Sequence, residues 1–451
     1  MVRCEEIRDE MTANPTKYAN FERTLTRINT MLTFIFMQVE VSFPFPFTSI
    51  VRTGPDTMEP PLSTVTTTPP IFGIFGYFLR YSGFNMAHMS KKRAENNSPL
   101  VFLLSIIAVG LCLSIAIYVI FLSFIRVPNE TKILDTTWSI SNSEIFLSLY
   151  SLVSALSLIY WTASGFFDSF IDALGKVRNS RITSPLAIDD YSRIQHQLLS
   201  MPIILLISWF LTVLQHIISL VNWSRESSPL KFVFTFLILV QLVSLLCVFA
   251  TSLATALFCL VTSCLNRELR HYNAELANAS RLQQLTQGNT FNVYSKRQSD
   301  IIQLIESANC KLGRFVAVAP IFSILIIVNS VYLLSAQFFN LNIFQLMSAL
   351  MTCITAFMLT FAVLYHAGET DKLLSETNSL LMHDDVLHSC GDEKMRLVYI
   401  VMRDRTLYSS TSHYLASAFR LDQYSLSKVL FLAPASAILI TLWLRITQKM
   451  D

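Results

Sequence analysis

Long runs of apolar residues constrain the fold of this sequence more than any other feature. A helix needs about 20 mostly apolar residues to cross the hydrocarbon core of a bilayer. Seven segments reach that length: Pro99–Ile125, Glu144–Phe167, Leu199–Val221, Phe232–Cys264, Phe315–Phe339, Leu341–Tyr365 and Tyr424–Ile446. Only 14% of the 451 residues are charged, against roughly 25% in soluble domains. The sequence therefore predicts an all-α membrane protein with seven transmembrane helices.

The distribution of basic residues predicts the orientation of these helices. Lys and Arg collect on the cytosolic side of membrane proteins. With the N-terminus inside, the cytosolic flanks carry 21 Lys and Arg residues and the outer flanks carry six. We therefore predict a cytosolic N-terminus and a multi-pass protein of the cell membrane. The acceptor triplet at Asn129 lies in the first outer loop of this topology, so Asn129 is the predicted glycosylation site.

This topology divides the chain into three parts. Residues 1–98 form a cytosolic arm, in which residues 53–70 are rich in Pro and Thr and are predicted to be disordered, and residues 71–84 form an apolar segment before the first helix. Residues 99–446 form the seven-helix domain, and residues 447–451 form a short external tail. The cytosolic stretches 265–314 and 366–423 carry apolar residues at three- and four-residue spacing, which predicts helices. We expect four of the spans to extend into this helical layer.

Two adjacent polar residues inside the third span are candidates for contact with a ligand. Gln215 and His216 lie among apolar residues, and polar groups inside a membrane are often functional. The alternative is that His216 hydrogen-bonds a neighbouring helix and serves packing alone. No series of buried Asp and Glu residues crosses the membrane, which argues against a proton-coupled pump.

The sequence carries no enzyme motif, and we predict neither catalytic residues nor a cofactor. It has no phosphate-binding glycine loop, no His-Glu-x-x-His and no Gly-x-Ser-x-Gly. His383, Asp384, Asp385, His388 and Cys390 are of types that bind metals. They fall in a polar stretch typical of a solvated turn, so we assign no metal site. A net charge of +3 is too small to indicate nucleic acid as a partner, and the predicted partner is the lipid bilayer.

Three stretches resemble the insect gustatory and odorant receptors and their nematode relatives, including the serpentine receptor class r group. They are IFGIFGYFLRYSGF from residue 71, LFCLVTSCLNRELRHYNAEL from residue 257 and FRLDQYSLSKVLFLAPASAILITLWLRITQ from residue 419. In the last stretch, gustatory receptors carry Thr-Tyr, five mostly apolar residues and Gln-Phe. Thr441 and Gln448 stand at the matching positions, whereas Leu442 and Lys449 replace the two aromatic residues and Arg445 lies between them.

The resemblance implies a ligand-gated cation channel that assembles as a homotetramer or with related subunits. Each subunit contributes its seventh helix to a central pore, and a small-molecule ligand binds between the outer halves of the helices. The residues on the predicted pore face are Ser436, Thr441, Leu442, Leu444 and Gln448. We expect Arg445 to point toward a subunit interface or the bilayer surface, because four guanidinium groups in a pore would repel cations.

Two other functions stay open on the sequence alone. A metabotropic chemosensory receptor with seven helices would signal through a cytosolic partner, but the G-protein-coupled family requires the opposite orientation and would place 21 basic residues outside. The chain also lacks an Asn-Pro-x-x-Tyr in its seventh span. The second is a non-conducting membrane protein of the same fold. Only the resemblance to the receptor channels favours a channel over it.

Overall fold

The structure, a computed structural model, describes residues 71–84, 99–123, 136–182, 191–224, 230–336, 341–383, 392–408, 412–415, 419–422 and 424–447. All of them belong to the second of two units in the chain, Thr68–Asp451. The helices are α1 Gly73–Tyr81, α2 Pro99–Phe121, α3 Thr136–Ala163, α4 Phe166–Asn179, α5 Ser192–Ser224, α6 Leu230–Arg281, α7 Gly288–Ala336, α8 Ile343–Met382, α9 Glu393–Tyr408 and α10 Ser425–Thr447. The N-terminal residues 1–70, with the predicted disordered segment, lie outside the described residues.

Each of the seven predicted spans is a helix in the structure, namely α2, α3, α5, α6, α7, α8 and α10. Five of these, α3 and α5 to α8, are long and apolar enough by themselves to cross a membrane. The other two, α2 and α10, have 23 residues each. At 1.5 Å per residue, the 52 residues of α6 extend over roughly 78 Å. This is more than twice the thickness of the hydrocarbon core.

Three helices, α6, α7 and α8, have 52, 49 and 40 residues and are longer than a membrane crossing needs. That their extra length forms a cytosolic layer stays a prediction. The second span continues differently. It ends at Ala163, before the predicted Phe167, because Gly165 has a left-handed backbone (φ 63°) that stops α3 and starts α4. Buried ion pairs tie these extensions together. Glu268 of α6 contacts both Arg178 (3.4 Å) and Arg181.

A core of small and apolar residues joins the last spans. Ile326, Ile327 and Val331 of α7 pack with Cys353, Ala356 and Phe357 of α8 and with Ala433 and Ala437 of α10. Phe146 and Leu147 of α3 pack against the same cluster. We call the eight residues from α7, α8 and α10 the α7–α8–α10 cluster. Small side chains let helices approach closely in a membrane, and here they bring α10 against both neighbours.

The extensions of α6 and α8 are joined by a repeated polar contact. Asn266 accepts a hydrogen bond from Thr370 (2.7 Å), and seven residues later Asn273 accepts one from Thr377 (2.6 Å). Each asparagine amide also donates to a backbone carbonyl of α8, at 3.3 and 3.0 Å. A seven-residue repeat keeps one face of a helix on its neighbour over successive turns, so these four residues, the Asn–Thr ladder, set the register of α6 against α8.

The segment before α10 differs from its prediction. The sequence predicts helices through 366–423, but the structure contains a short antiparallel pair of strands, β1 Tyr414–Leu415 and β2 Phe419–Arg420. Tyr414 pairs with Arg420, and Leu415 pairs with Phe419. Asp371 of α8 anchors this hairpin, because it accepts hydrogen bonds from Arg420 (2.6 Å) and Ser412 (3.1 Å). Helical spacing of apolar residues could not reveal a two-residue strand, which depends on its pairing partner.

Candidate ligand cavity

A cavity of about 70 Å³ lies among six helices, α2, α3, α5, α6, α7 and α8. It is near the end of the bundle where α2 ends and α3 begins, since Tyr118 comes from the last turn of α2 and Ile140 from the second turn of α3. We call this the α2–α3 end, and it is the end that the sequence predicts to be external. The volume is several times what one water molecule needs.

Hydroxyl and apolar side chains share the cavity wall. Leu147, Leu205, Trp209 and Leu333 supply much of the apolar surface. Eight Ser and Thr side chains also line it: Ser143, Ser148, Ser208, Thr212, Ser244, Ser330, Ser348 and Thr352. An apolar wall with a few oriented polar groups is typical of sites that bind small organic molecules.

A carboxylate and an imidazole form the polar centre of the cavity. His216 Nε2 lies 2.9 Å from Glu144 Oε1, and the amide nitrogen of Gln241 lies 2.9 Å from His216 Nδ1. The side chains of His216 and Glu144 are 11% and 12% exposed. The three residues come from α5, α3 and α6, so this contact joins three helices at one wall of the cavity.

The hydrogen bonds around His216 run in one direction. The indole N–H of Trp209 donates to Ser244 Oγ (2.8 Å), and the Ser244 hydroxyl donates to the backbone or side-chain oxygen of Gln241 (3.0 and 3.2 Å). The Gln241 amide then donates to His216 Nδ1. Glu144 lies on the other side of the imidazole ring, with Oε1 2.9 Å from Nε2.

The structure brings one of the two predicted ligand residues to the cavity. His216 lines it, whereas Gln215 is not among the lining residues and its side chain is buried. The lining residues of α5 are Leu205, Ser208, Trp209, Thr212 and His216, and Gln215 lies beside the helix face that they share. Their role in ligand binding stays a prediction.

Glu144 is the residue that sequence reasoning missed. The predicted second span began at Glu144, which made it a flanking residue, but α3 begins at Thr136 and puts Glu144 two turns inside the helix. A signal was present, because Glu144 is the only acidic residue between Asp135 and Asp168. An isolated carboxylate at the edge of a long apolar run is a candidate for a site inside the membrane.

The predicted pore residues lie on α10, and only one has a described side chain. Ser436 is half-buried and donates to the carbonyl of Ala433 (2.8 Å). For three others, Thr441, Leu442 and Leu444, the structure describes the backbone alone, which is helical, and the same holds for Arg445. Gln448, the external tail beyond it and the glycosylation site Asn129 lie outside the described residues. The pore face and the glycosylation site therefore stay predictions.

Most of the chain has the fold of a known class of membrane receptor. It is similar to the insect olfactory receptor OR5 from Machilis hrabei in complex with eugenol, with a TM-score of 0.61 and 13% identity over 83% of this chain and 100% of that chain. A second structure of that receptor gives a TM-score of 0.59 and 13% identity over 82% and 98% of the two chains. At this identity the likeness shows the fold alone. The chain is thus a membrane protein with the seven-helix fold of the insect olfactory receptors, as predicted.

Sequence comparison then gives the family. Residues 71–436 match the family described as "Caenorhabditis protein of unknown function, DUF267", which covers most of the chain, and the protein belongs to that family. No curated protein matches it in sequence. The predicted relation to the serpentine receptor class r group stays a prediction.

Proposed function

We propose that this protein is a subunit of a chemoreceptor-type, ligand-gated cation channel of the cell membrane. The cavity at the α2–α3 end binds a small molecule, and α10 lines the ion path. The observation that carries the proposal is a cavity with an oriented polar centre in a chain whose fold is that of an insect olfactory receptor, one of which is described in complex with eugenol.

A continuous packing contact connects the cavity with α10. Leu147 lines the cavity and also packs against the α7–α8–α10 cluster. Ser330 and Thr352 line the cavity next to Val331 and Cys353, which belong to that cluster. A ligand that moves α7 or α8 would therefore act on Ala433 and Ala437 across direct contacts. Close-packed cores transmit such shifts because they deform little.

The outer face of α10 supports assembly with further subunits. Phe431, Leu432 and Leu439 are 74%, 61% and 66% exposed in the single chain. In a homotetramer, or in a complex with related subunits, this face would pack against neighbouring chains or border a central pore. A narrow apolar region can close a pore to ions by excluding water.

Electrical recording from cells that express the full chain tests the proposal. Small organic molecules should evoke cation currents, and Trp209→Ala, which removes a large part of the cavity wall, should shift the effective concentration at least tenfold. Phe210→Ala is the matched control, because this neighbouring aromatic residue is 59% exposed on the outside of α5 and its loss should leave the response unchanged. Equal effects of the two substitutions would contradict a ligand site in the cavity.

The pore is tested in the same preparation with cysteines. Single substitutions at Thr441, Leu444, Arg445 and Gln448 should let water-soluble thiol reagents change the current at one or more of these sites. Resistance at all four sites in a conducting preparation would mean that the ion path lies elsewhere. Ligand responses that require a G protein and carry no current of their own would support a metabotropic receptor instead.

A further inference from the structure

Two basic residues of α7 and one tyrosine of α3 meet at one end of the spans. The Tyr160 ring centre lies 5.1 Å from Lys311 Nζ and 5.6 Å from Arg314 Cζ. Lys311 also donates a hydrogen bond to the Tyr160 hydroxyl oxygen (3.3 Å). Tyr160 lies in the last turn of α3, and Arg314 directly precedes the predicted span Phe315–Phe339. We call these three residues the Tyr160–Lys311–Arg314 cluster.

Buried aromatic contacts fix the position of this cluster. The indole N–H of Trp161 donates to the Lys311 carbonyl (3.0 Å), and the Trp161 ring packs edge-on against Phe315, with centroids 5.5 Å apart. Trp161 and Phe315 are each 1% exposed. Because they adjoin Tyr160 and Arg314 in the sequence, this contact holds α3 and α7 in register, and Tyr160 and Arg314 stay exposed beside each other on the outside.

The cluster carries two positive charges that no acidic side chain neutralises. No ion pair in the described part of the chain includes Lys311 or Arg314, whereas Arg297 of the same helix pairs with Glu275. The Tyr160 hydroxyl accepts from Lys311 and still has its own proton to donate. An ammonium group, a guanidinium group and a hydroxyl donor at one place match the oxygens of a phosphate group.

The surface next to the cluster is apolar on the side of the spans. Leu156 lies one helical turn from Tyr160 and is 53% exposed, and Val318 lies one turn from Arg314 and is 38% exposed. Both residues fall inside the predicted spans, so their exposed side chains face lipid. A phospholipid would place its phosphate at the cluster and its acyl chains along this surface, whereas a soluble phosphate would use the cluster alone.

We propose that the Tyr160–Lys311–Arg314 cluster binds the headgroup of an anionic phospholipid. The phosphate accepts hydrogen bonds from Lys311, Arg314 and the Tyr160 hydroxyl, and the acyl chains lie against Leu156 and Val318. Anionic lipids are concentrated in the cytoplasmic leaflet, where basic pockets between helices bind them, and the predicted orientation puts this end of α3 and α7 in that leaflet. The bound lipid joins α3 to α7 and stabilises their contact. Such a site requires the membrane fold and does not require ligand gating.

Native mass spectrometry of the purified full chain, released from neutral detergent micelles, tests this lipid site. The probes are phosphatidylglycerol and phosphatidylcholine with the same oleoyl chains, and glycerol 3-phosphate as a phosphate without chains. We expect one phosphatidylglycerol molecule per chain to bind about tenfold or more tightly than phosphatidylcholine, since two basic residues attract the anionic lipid. Phosphatidylglycerol should also raise the melting temperature more than phosphatidylcholine does, and glycerol 3-phosphate should not displace it at about tenfold excess.

Substitutions then locate the headgroup. Lys311→Gln combined with Arg314→Gln should remove the preference, so that the two lipids bind within about threefold of each other. Lys394→Gln combined with Arg396→Gln is the matched control, because it removes two positive charges from exposed positions of α9 and should preserve the preference. Tyr160→Phe keeps the ring and removes the hydroxyl donor, and it should weaken the binding of phosphatidylglycerol about threefold or more.

Four results would overturn the lipid site. Equal binding of the two lipids by the wild-type chain would exclude selection of an anionic headgroup. A preference that persists without Lys311 and Arg314 would place the headgroup elsewhere on the chain. Displacement by glycerol 3-phosphate would indicate a site for soluble phosphates. If the double variant does not fold, unchanged binding by Tyr160→Phe would remove the cluster as the site. Lipid selectivity is measured without ligand or current, so it can fail while the proposed channel function holds.

Discussion

Replacing Asn273 with alanine should destabilise the protein by about 2–3 kcal/mol. Asn273 is 4% exposed and its partner Thr377 is 1% exposed. The substitution removes two hydrogen bonds, from the Asn273 amide to the Leu373 carbonyl (3.0 Å) and from the Thr377 hydroxyl to Asn273 Oδ1 (2.6 Å). Each contributes about 1 kcal/mol net, and the loss of packing around the truncated side chain adds to this. The Thr377 hydroxyl can still donate to Leu373 (3.0 Å), which keeps the cost below that of a fully unpaired group.

A double-mutant cycle measures the contact itself. The free energy of unfolding is compared by denaturant titration in mixed micelles for wild type, Asn273→Ala, Thr377→Val and the double variant. We expect a coupling energy of about 1 kcal/mol or more, because the effects of substituting two residues that share a hydrogen bond do not add. Asn278→Ala is the matched control. Asn278 is exposed on α6, and its removal should change stability by less than about 0.5 kcal/mol.

Additive effects would refute this reasoning. If the double variant loses the sum of the two single losses to within about 0.5 kcal/mol, the Asn273–Thr377 contact does not join α6 to α8 in the folded protein. The reasoning would also fail if Asn273→Ala lowers the free energy of unfolding no more than Asn278→Ala does, since the buried Asn273 side chain would then make no stabilising contact. Either result would remove the Asn–Thr ladder as the feature that sets the register of these two helices.

Three further predictions address topology and acid stability. A reporter tag at the N-terminus should be cytosolic and one at the C-terminus external; an external N-terminal tag would contradict the charge-based orientation. Asn129 should be glycosylated, whereas Asn278, an acceptor triplet on the predicted cytosolic side, should not; glycosidase-sensitive mass that survives Asn129→Gln combined with Asn222→Gln, the other external triplet, would contradict the loop assignment. Burial lowers the pKa of His413 to about 4, although Asp371 opposes the shift; the unfolded chain therefore binds a proton below about pH 6.5 that the folded protein excludes. Stability should fall between pH 6.5 and 4 by up to about 1.4 kcal/mol per pH unit, and His413→Leu should flatten that fall in a pH series of unfolding curves.

The apolar segments allowed the seven spans to be predicted because the bilayer imposes a length on every helix that crosses it. That residues 265–281 and 366–382 are helical also followed from local spacing, since both stretches carry apolar residues at three- and four-residue intervals. The Asn–Thr ladder was visible in part, as Asn266 and Asn273 are seven residues apart and so are Thr370 and Thr377. The sequence did not show that the two asparagines of α6 face the two threonines of α8.

The sequence alone therefore determined the number of spans, the helical content and His216 as a candidate residue. Tertiary structure decided that Glu144 of α3, His216 of α5 and Gln241 of α6 meet at one wall, that Gln215 lies outside the lining, and that a hairpin precedes α10. The physical reason is the range of the interactions. Apolar length and periodicity are properties of each segment by itself, whereas a cavity, the proton direction of a hydrogen-bond series and a strand pairing exist only after residues distant in sequence have been packed together.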